Sequence, residues 1–324
     1  MMRVFVTQGG CLSEIPAVPG TVPAETLWVD LNHPTPEELK PVEAAYKIVA
    51  PTRDEMQEIE ASSRLYREDG AVFMTATIVS GADTASPESH AVAFILAAGR
   101  LITVRHSEPR SFVTFPQRAV RQPGLWGSAE RVLLGLLDSI VDRTADVLER
   151  VSVDVDALSR EIFGARAQKA PLDSGDYHDL LVRLGRENDL TGRIRESLVS
   201  VNRLVTFLTQ LNDTKSGKEF RANVKTLSRD VASLTDHTNY LSNKMTFLLD
   251  ATLGLISTDQ NKVIKILAIA GTIFLPPTLF ASVWGMNFHS MPELDQPWGY
   301  PLAIGIIIAS GIVPFLYFRW RKWF

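Results

Sequence analysis

Residues 265–293 read KILAIAGTIFLPPTLFASVWGMNFHSMPE, and residues 295–319 read DQPWGYPLAIGIIIASGIVPFLYFR. Between Lys265 and Glu293 lie about 27 residues without a charged side chain, and between Asp295 and Arg319 about 23 more. A bilayer crossing needs roughly 20 apolar residues, so each stretch qualifies as a membrane span. Only the stretch from Asn287 to Gln296 separates them, which makes the pair a hairpin with a very short exposed loop. Lys262 and Lys265 precede the first span, Arg319, Arg321 and Lys322 follow the second, and the loop carries Glu293 and Asp295. Basic residues favour the cytoplasmic side, which places both ends inside and the loop outside. Trp284, Trp298, Tyr300, Tyr317, Trp320 and Trp323 stand where interfacial aromatic belts belong. Two buried core helices of a soluble protein are the competing reading. Pro276 and Pro277 would end a helix in water; inside a bundle they are tolerated as a kink whose freed carbonyls are satisfied by neighbours or water.

Upstream of the first span no terminator interrupts residues 218–284 before Pro276. A helix of that length measures on the order of 100 Å, far more than a globular domain needs and suited to a stalk that enters the bilayer. From Gly127 on, Val132, Leu133, Leu136, Leu137, Ile140, Val147, Leu148, Val151, Val155, Leu158 and Ile162 recur at steps of three and four, the stripe of a buried helix ended by Gly164. A second amphipathic helix covers Tyr177 to Leu211, broken at Asn212-Asp213 and Ser216-Gly217, and the two pack as an antiparallel hairpin.

Residues 1–107 mix strands and helices. Arg3–Thr7, Leu27–Leu31 and Ala71–Val79 are β-rich runs, and Ala91–Leu96 with Leu101–Val104 form a hairpin turned at Gly99. Thr35-Pro36-Glu37-Glu38 is a helix start, with Thr35 as cap and proline at the first helical position. The fold class expected is an α+β cytoplasmic domain with a long helical stalk, followed by two transmembrane α-helices. The boundaries are 1–126 for the α/β domain, 127–216 for the helical hairpin, 217–262 for the stalk, 263–286 for the first span, 287–298 for the loop, 299–318 for the second span and 319–324 for a basic tail.

Composition narrows the function. Hydrophobic residues make up 45% of the 324 and charged residues 22%, which suits a folded protein. A formal net charge of -4 argues against a nucleic-acid partner. The single cysteine, Cys11, excludes a disulfide framework or a thiolate-rich zinc site, and reads as a free thiol near a mobile N-terminus. Met1 to Glu14 shows no secretory signal. No nucleophile elbow, phosphate loop or zinc-hydrolase motif is present, so an enzyme is not expected.

The long helix carries a polar seam. Steps of seven from Asp250 reach Ser257, Ile264, Gly271, Thr278 and Gly285, and a second series runs Gly254, Asn261, Ala268, Leu275 and Ser282. The two series adjoin on one face if the helix supercoils with a 3.5-residue period. Most members are small or carry a hydroxyl or amide, among neighbours dominated by Ile, Leu, Val and Phe. Such a face suits close helix packing or the lining of a wet path; two spans cannot enclose a path, so a pore requires several copies around an axis.

Gly285-Met286-Asn287 closes the first span, and Met291-Pro292-Glu293-Leu294 follows in the loop. Together with Phe274-Leu275-Pro276-Pro277-Thr278-Leu279, Gln260-Asn261-Lys262-Val263-Ile264-Lys265 and the tail Arg319-Trp320-Arg321-Lys322-Trp323-Phe324, this arrangement resembles the CorA family of magnesium channels. The match is motif-level from Asp250 to Phe324 and architectural over the rest. The resemblance implies a homopentameric funnel in a bacterial inner membrane, in contact with lipid, with the second span as an outer ring. It assigns Asn287 to an external ring that meets the incoming ion, and Thr278, Leu275, Gly271, Leu267 and Asn261 to the pore below it. Leu267 and Leu275 would be apolar constrictions, and Asp250 would stand near the cytoplasmic mouth. Ile264, Ala268 and Ser282 complete the expected lining. Trp284 occupies a site often taken by tyrosine, and His289-Ser290 replaces a more usual acidic and aromatic pair.

The chemistry agrees with such a cargo. Mg2+ dehydrates reluctantly and prefers oxygen ligands, so amide and backbone carbonyls that accept hydrogen bonds from its waters suit it. The seam has no cysteine or histidine for a softer metal. A double charge entering a negative interior gains roughly 4.6 kcal/mol per 100 mV, so uptake can be passive. The resemblance further implies Mg2+ as a regulatory ligand between cytoplasmic domains, and Co2+ or Ni2+ as possible further cargo. Asp138, Asp142 and Asp146 on one acidic stripe with Glu149, and Asp230 and Asp236 on the stalk, are the candidates for that regulatory site. Proton-coupled or efflux transport of zinc, cobalt or nickel, and a membrane-anchored scaffold or sensor, are the alternatives.

Overall fold

The computed structural model describes every residue except 19, 85, 168–173, 212–217, 287–295, 322 and 324, and only the backbone of 61, 165–167 and 174. It divides into two units, Met1–Leu249 and Asp250–Phe324.

The first unit opens with a seven-stranded mixed sheet. Its strands are β1 (Met2–Gln8), β2 (Cys11–Ile15), β3 (Thr26–Asn32), β4 (Leu65–Glu68), β5 (Ala71–Ser80), β6 (Glu88–Ala97) and β7 (Arg100–Arg105). They lie in the order β2-β1-β3-β7-β6-β5-β4. The β3–β7 pair is parallel, with Trp28 opposite Leu101 and Leu31 opposite Val104, and the other pairs are antiparallel. The turn at Gly99 forms as expected, Gly99 taking φ 75° beside Ala98 at 47°. Two strands escaped the sequence reading. One of them, β2, contains Cys11, whose free thiol therefore belongs to an ordered strand paired with Gln8 rather than to a mobile end.

Both faces of the sheet are covered, which is why every residue of β3 is buried. Helices α1 (Pro36–Tyr46) and α2 (Arg53–Gln57) bury Val42 and Met56 in one core, against Val4, Val29, Leu31, Phe73, Ile95 and Ile102. Thr35 and Glu38 close a capping box at the start of α1, and Thr52 and Glu55 repeat it for α2. Each box satisfies backbone donors that a helix end leaves free. A four-residue helix, α3 (Ala61–Arg64), precedes β4. The other face stacks Phe5 on Trp28, ring centroids 4.3 Å apart, beneath Phe112 and Phe115 of α4 (Ser111–Ala119).

Across this second core run α5 (Ala129–Ala167), α6 (Ser174–Leu211) and the first part of α7 (Lys218–Trp284). Gly164 does not end α5, because an interior glycine costs about 1 kcal/mol and a packed 39-residue helix absorbs it. Arg183 of α6 meets Glu161 of α5 at 2.9 Å, at the ends an antiparallel pair brings together. Arg131–Glu219 at 2.8 Å and the Lys244–Asp156 pair have the same sequence offset, so α7 runs parallel to α5. Its buried residues Val224, Leu227, Val231, Thr238, Leu241, Met245 and Leu248 follow the three-four alternation of a supercoiled seam. The breaks expected at 212–213 and 216–217 lie outside the described residues.

One position locks α4 to α5. A Cβ at Gly135 would stand 2.4 Å from Trp126 Cζ3 and 2.8 Å from Phe115 Cε2. Trp126 cannot retreat, since its indole N–H donates to the Ala119 carbonyl at 3.1 Å and its ring is edge-on to Phe115. Gly135→Ala gains about 1 kcal/mol of helix propensity but overpacks a buried aromatic pair, which costs about 1–3 kcal/mol or more. The substitution is expected to lower the thermal midpoint of the purified protein; an unchanged or raised midpoint would show that the rings can move.

The second unit holds the remainder of α7 and α8 (Gly299–Trp320), each long and apolar enough to cross a membrane. The helix continues through Pro276 and Pro277 without a break. Proline has no N–H, so the Thr272 and Ile273 carbonyls lack their helical donors.

Candidate ion pathway

Two helices in one unit can cover only part of each other, and which part is covered decides what α7 offers to anything else. Ile269 is 4% exposed, and Ala270, Ile273, Pro276, Pro277 and Trp284 are half-buried. Among the described residues of this unit, only α8 is available to cover them. The two helices meet at Gly311, where an added Cβ would lie 3.3 Å from Pro277 Cγ and 3.7 Å from the Ile273 carbonyl oxygen. Thus one carbonyl that the prolines leave free faces the glycine backbone of α8. The facing side of α8 is the half-buried row Gly299, Ala303, Ile307 and Gly311 with Ser310, Pro314 and Phe318. Small residues at steps of four let apolar helices approach closely. That row is visible in the sequence and was the missed signal for this packing face.

At 3.6 residues per turn, the centre of the covered face lies about 180° around α7 from the polar seam. Asp250, Gly254, Ser257, Asn261, Ile264, Ala268, Leu275, Thr278, Ser282 and Gly285 are all exposed, Gly271 is half-buried, and Met286 beyond them is exposed. Leu267 is 73% exposed and Leu275 69%; Leu267 stands at the border of the seam. Packing within the chain therefore does not use the small and polar residues. It uses the opposite, bulkier side.

Three threonine hydroxyls of this part of α7 donate their protons to the helix backbone. Thr278 Oγ1 donates to the Phe274 carbonyl at 2.7 Å, Thr272 Oγ1 to Ala268 and Thr258 Oγ1 to Gly254, both at 2.8 Å. A threonine hydroxyl has one proton and two lone pairs, so on the seam Thr278 presents an acceptor. An acceptor suits the outward-pointing hydrogens of a hydrated cation.

The hairpin's two ends lie together. Lys265 Nζ stands 5.1 Å from the Trp323 ring, while Lys262 pairs with Asp259 at 2.6 Å and Arg321 lies over Tyr317. The basic ends of both helices are thus on one side, as the charge pattern requires. Asn287, Met291, Pro292, Glu293 and Leu294, and the neighbours His289 and Ser290, lie outside the described residues.

Of the candidate regulatory carboxylates, some converge. Arg118 is 3.4 Å from Asp138 and 3.2 Å from Asp142. Burial first, then Asp142, holds the Asp138 carboxyl above its ordinary range, with Asp230 adding to this and Arg118 opposing it. Asp146 is 4.0 Å from Arg143, on the neighbouring stretch of α5, and Asp236 is exposed on α7. Among the described residues, no group of three or more acidic, histidine or cysteine side chains is arranged to hold a metal ion.

Comparison with known proteins places these features in a family. A family model described as CorA-like Mg2+ transporter protein matches residues 23–321. The protein named "Magnesium transport protein CorA" of Pectobacterium atrosepticum is 35% identical over 92% of each chain, and that of Escherichia coli K12 is 31% identical over all of both. Among solved structures, the complete CorA magnesium transporter of Methanocaldococcus jannaschii superposes with a TM-score of 0.79 over 100% of this chain and 99% of that one, at 17% identity. The full-length CmaX protein does so at 0.69, covering 99% and 97% of the two chains at 17% identity. An apolar helical hairpin at the C-terminal end of a mixed-sheet domain, a motif-bearing loop between its helices and full-length kinship all converge: the chain belongs to the CorA-like Mg2+ transporter protein family.

Proposed function

We propose that this chain is one subunit of a homopentameric magnesium channel that admits Mg2+ passively, driven by the membrane potential. The observation that carries the reading is the uncovered seam of α7. Its amide, hydroxyl and small residues are left outward by a hairpin that packs through the opposite face, in a chain whose family is one of Mg2+ transporters. Copies arranged around an axis would turn those groups to a shared path. Residues 263–286 would then line it, 287–298 form the outer loop, 299–318 the outer ring and 319–324 a cytoplasmic tail.

In this reading Gly285, Met286 and Asn287 form the entrance, with Glu293 raising the local cation concentration. Thr278 and Asn261 accept hydrogen bonds from the ion's waters, and Leu275 and Leu267 narrow the path by excluding water. Asp250 meets the ion at the inner mouth. No ligand on the seam is a thiolate or carboxylate until Asp250, so a divalent ion is held weakly enough to leave. Co2+ and Ni2+ share the hydrated radius class and octahedral preference and are expected as secondary cargo. Intracellular Mg2+ is proposed to close the channel by bridging carboxylates of adjacent subunits. Burial, with Asp142 and Asp230 nearby, already disfavours the charged form of Asp138, so a bridging cation would relieve repulsion there.

The test is flux into liposomes carrying the purified protein and an entrapped magnesium dye, with voltage set by a potassium gradient. Uptake should appear when the interior is negative and remain unchanged when a pH gradient is imposed at constant voltage. Uptake that follows the pH gradient would establish the proton-coupled alternative, and no permeation under any ionic condition would leave a membrane-anchored scaffold.

A further inference from the structure

A cleft of about 190 Å³ lies in the first unit, where α2, α3 and α6 meet β5 and β6. It is lined by Arg53, Met56 and Gln57 of α2, Arg64 of α3, Thr77 of β5, Ser89, His90 and Ala91 of β6, His106 and Glu196 of α6. Its volume is below the roughly 300 Å³ at which pockets begin to enclose drug-sized molecules, so it suits a small ion or headgroup. Its lining holds more basic than acidic groups. Two guanidinium groups and two imidazoles face one carboxylate, Glu196, with His33 packed edge-on to His106 at 5.5 Å just outside. Glu88 is taken by His90 at 2.8 Å.

The two arginines lack ion-pair partners among the described residues, whereas His90 has Glu88. Among the described residues, Arg53 makes no ion pair. Arg64 donates to the Glu58 carbonyl and, at 3.1 Å, to the Thr77 hydroxyl, both neutral acceptors. The Thr77 N–H is occupied by Ser200 Oγ at 2.8 Å, so Thr77 is fixed and its hydroxyl oriented. Ser89 Oγ is shielded from solvent and has no hydrogen-bond partner. A buried hydroxyl left unpaired costs about 1–3 kcal/mol and calls for a partner. Burial first, then His33, Arg53 and His90, hold His106 below its ordinary pKa. Burial likewise lowers Arg64, with Arg203 adding to it and Glu196 opposing.

We infer that this cleft is a binding site for a phosphate-type oxyanion, either free inorganic phosphate or the phosphate end of a nucleotide, held by Arg53 and Arg64 with the Ser89 hydroxyl beneath. Guanidinium forks match the geometry of phosphate oxygens, and a bound dianion would supply the missing negative charge. The site is independent of the ion path: it lies wholly in the first unit and needs no transported cation.

The experiment is phosphorus NMR of inorganic phosphate, and separately of AMP, titrated with the full-length protein in detergent and EDTA so that no divalent ion takes part. Saturable binding of inorganic phosphate alone assigns the site to the free ion, and tighter binding of AMP assigns it to a nucleotide; either supports the inference. Arg53→Gln, an exposed change that breaks no ion pair, is expected to weaken binding about tenfold, and Arg53→Gln with Arg64→Gln to abolish it. No saturable binding of either compound, or equal binding by the Arg53→Gln protein, overturns it. Flux is not the readout, so failure here leaves the channel reading untouched.

Discussion

Asn287→Ala protein, reconstituted at wild-type density, is expected to lose nearly all Mg2+ uptake while keeping its oligomeric state and thermal stability. The argument is one of differential hydration. Stripping water from Mg2+ is slow and costly, so an entrance for this ion must accept hydrogen bonds from its waters. An asparagine side-chain oxygen has two lone pairs and no charge, and a ring of them attracts without trapping. In the proposed ring, alanine would remove every such acceptor at once, because each copy would carry the substitution. A loss of two orders of magnitude corresponds to about 2.7 kcal/mol in the barrier, which the loss of several weak acceptors can supply. Asn287→Asp is the informative companion: it keeps acceptors but adds charge, so it should raise affinity and slow release. Undiminished flux in Asn287→Ala liposomes would remove the entrance role assigned to this residue, though not the channel itself.

The largest stability effect is expected in the first unit, at Asp30. This carboxylate has 0% exposure and Arg105 3%, and they meet as a fork, Nε to Oδ1 at 3.0 Å and Nη2 to Oδ2 at 2.9 Å. Thr103 donates its hydroxyl to Oδ1 at 2.8 Å, Trp28 Nε1 donates to Thr103 at 3.0 Å, and Arg105 lies over the Phe112 ring. Arg105 also donates to the Ser107 carbonyl, and Arg3 approaches Asp30 at 3.9 Å. Asp30→Ala leaves a guanidinium without its counter-ion between β3 and β7, which costs about 3–5 kcal/mol. Since domains are stable by only about 5–15 kcal/mol, the variant should unfold at a much lower denaturant concentration. Asp30→Leu with Arg105→Met should recover a large part of the loss, because no charge is then stranded. A double variant as unstable as the single one would mean that Arg105 matters for its packing on Phe112 rather than for its charge.

The clamp on Asp83 offers a contrast. Arg150 first, with Arg143, holds its carboxyl down to about 2 against the opposing effect of burial, and Arg110 reaches it at 3.1 Å. This carboxylate is 42% exposed, so solvent screens the interaction and its loss should matter far less than that of Asp30. Its pKa is lowered by folding, so its contribution is present above the unfolded value and disappears as pH falls toward 2.

What could be known from one strand of letters, and what could not, divides along the range of the forces involved. The two spans, the 67-residue helix and the Thr35 cap follow from local rules. Uninterrupted apolar length is read by the bilayer, period by the helix, and an N-terminal hydroxyl by the next turn's backbone. The polar seam was visible for the same reason, since seven-residue steps on α7 bring its members together whatever surrounds the helix. Asp30 showed nothing unusual inside a β-rich run, because its partner lies 75 residues away and only the parallel β3–β7 register brings them together. Strands β2 and β4 were missed because their polar edges weaken the period-two alternation that marks a strand. The basic cleft likewise draws Arg53, Arg64, Ser89 and His106 from four separate segments. Above all, the sequence left open whether the seam packs or lines a path. Within the chain, Gly311 meeting Pro277 shows which side of α7 the hairpin packs through: a helix has one best-fitting side for its neighbour, and choosing the bulky side leaves the small and polar residues uncovered.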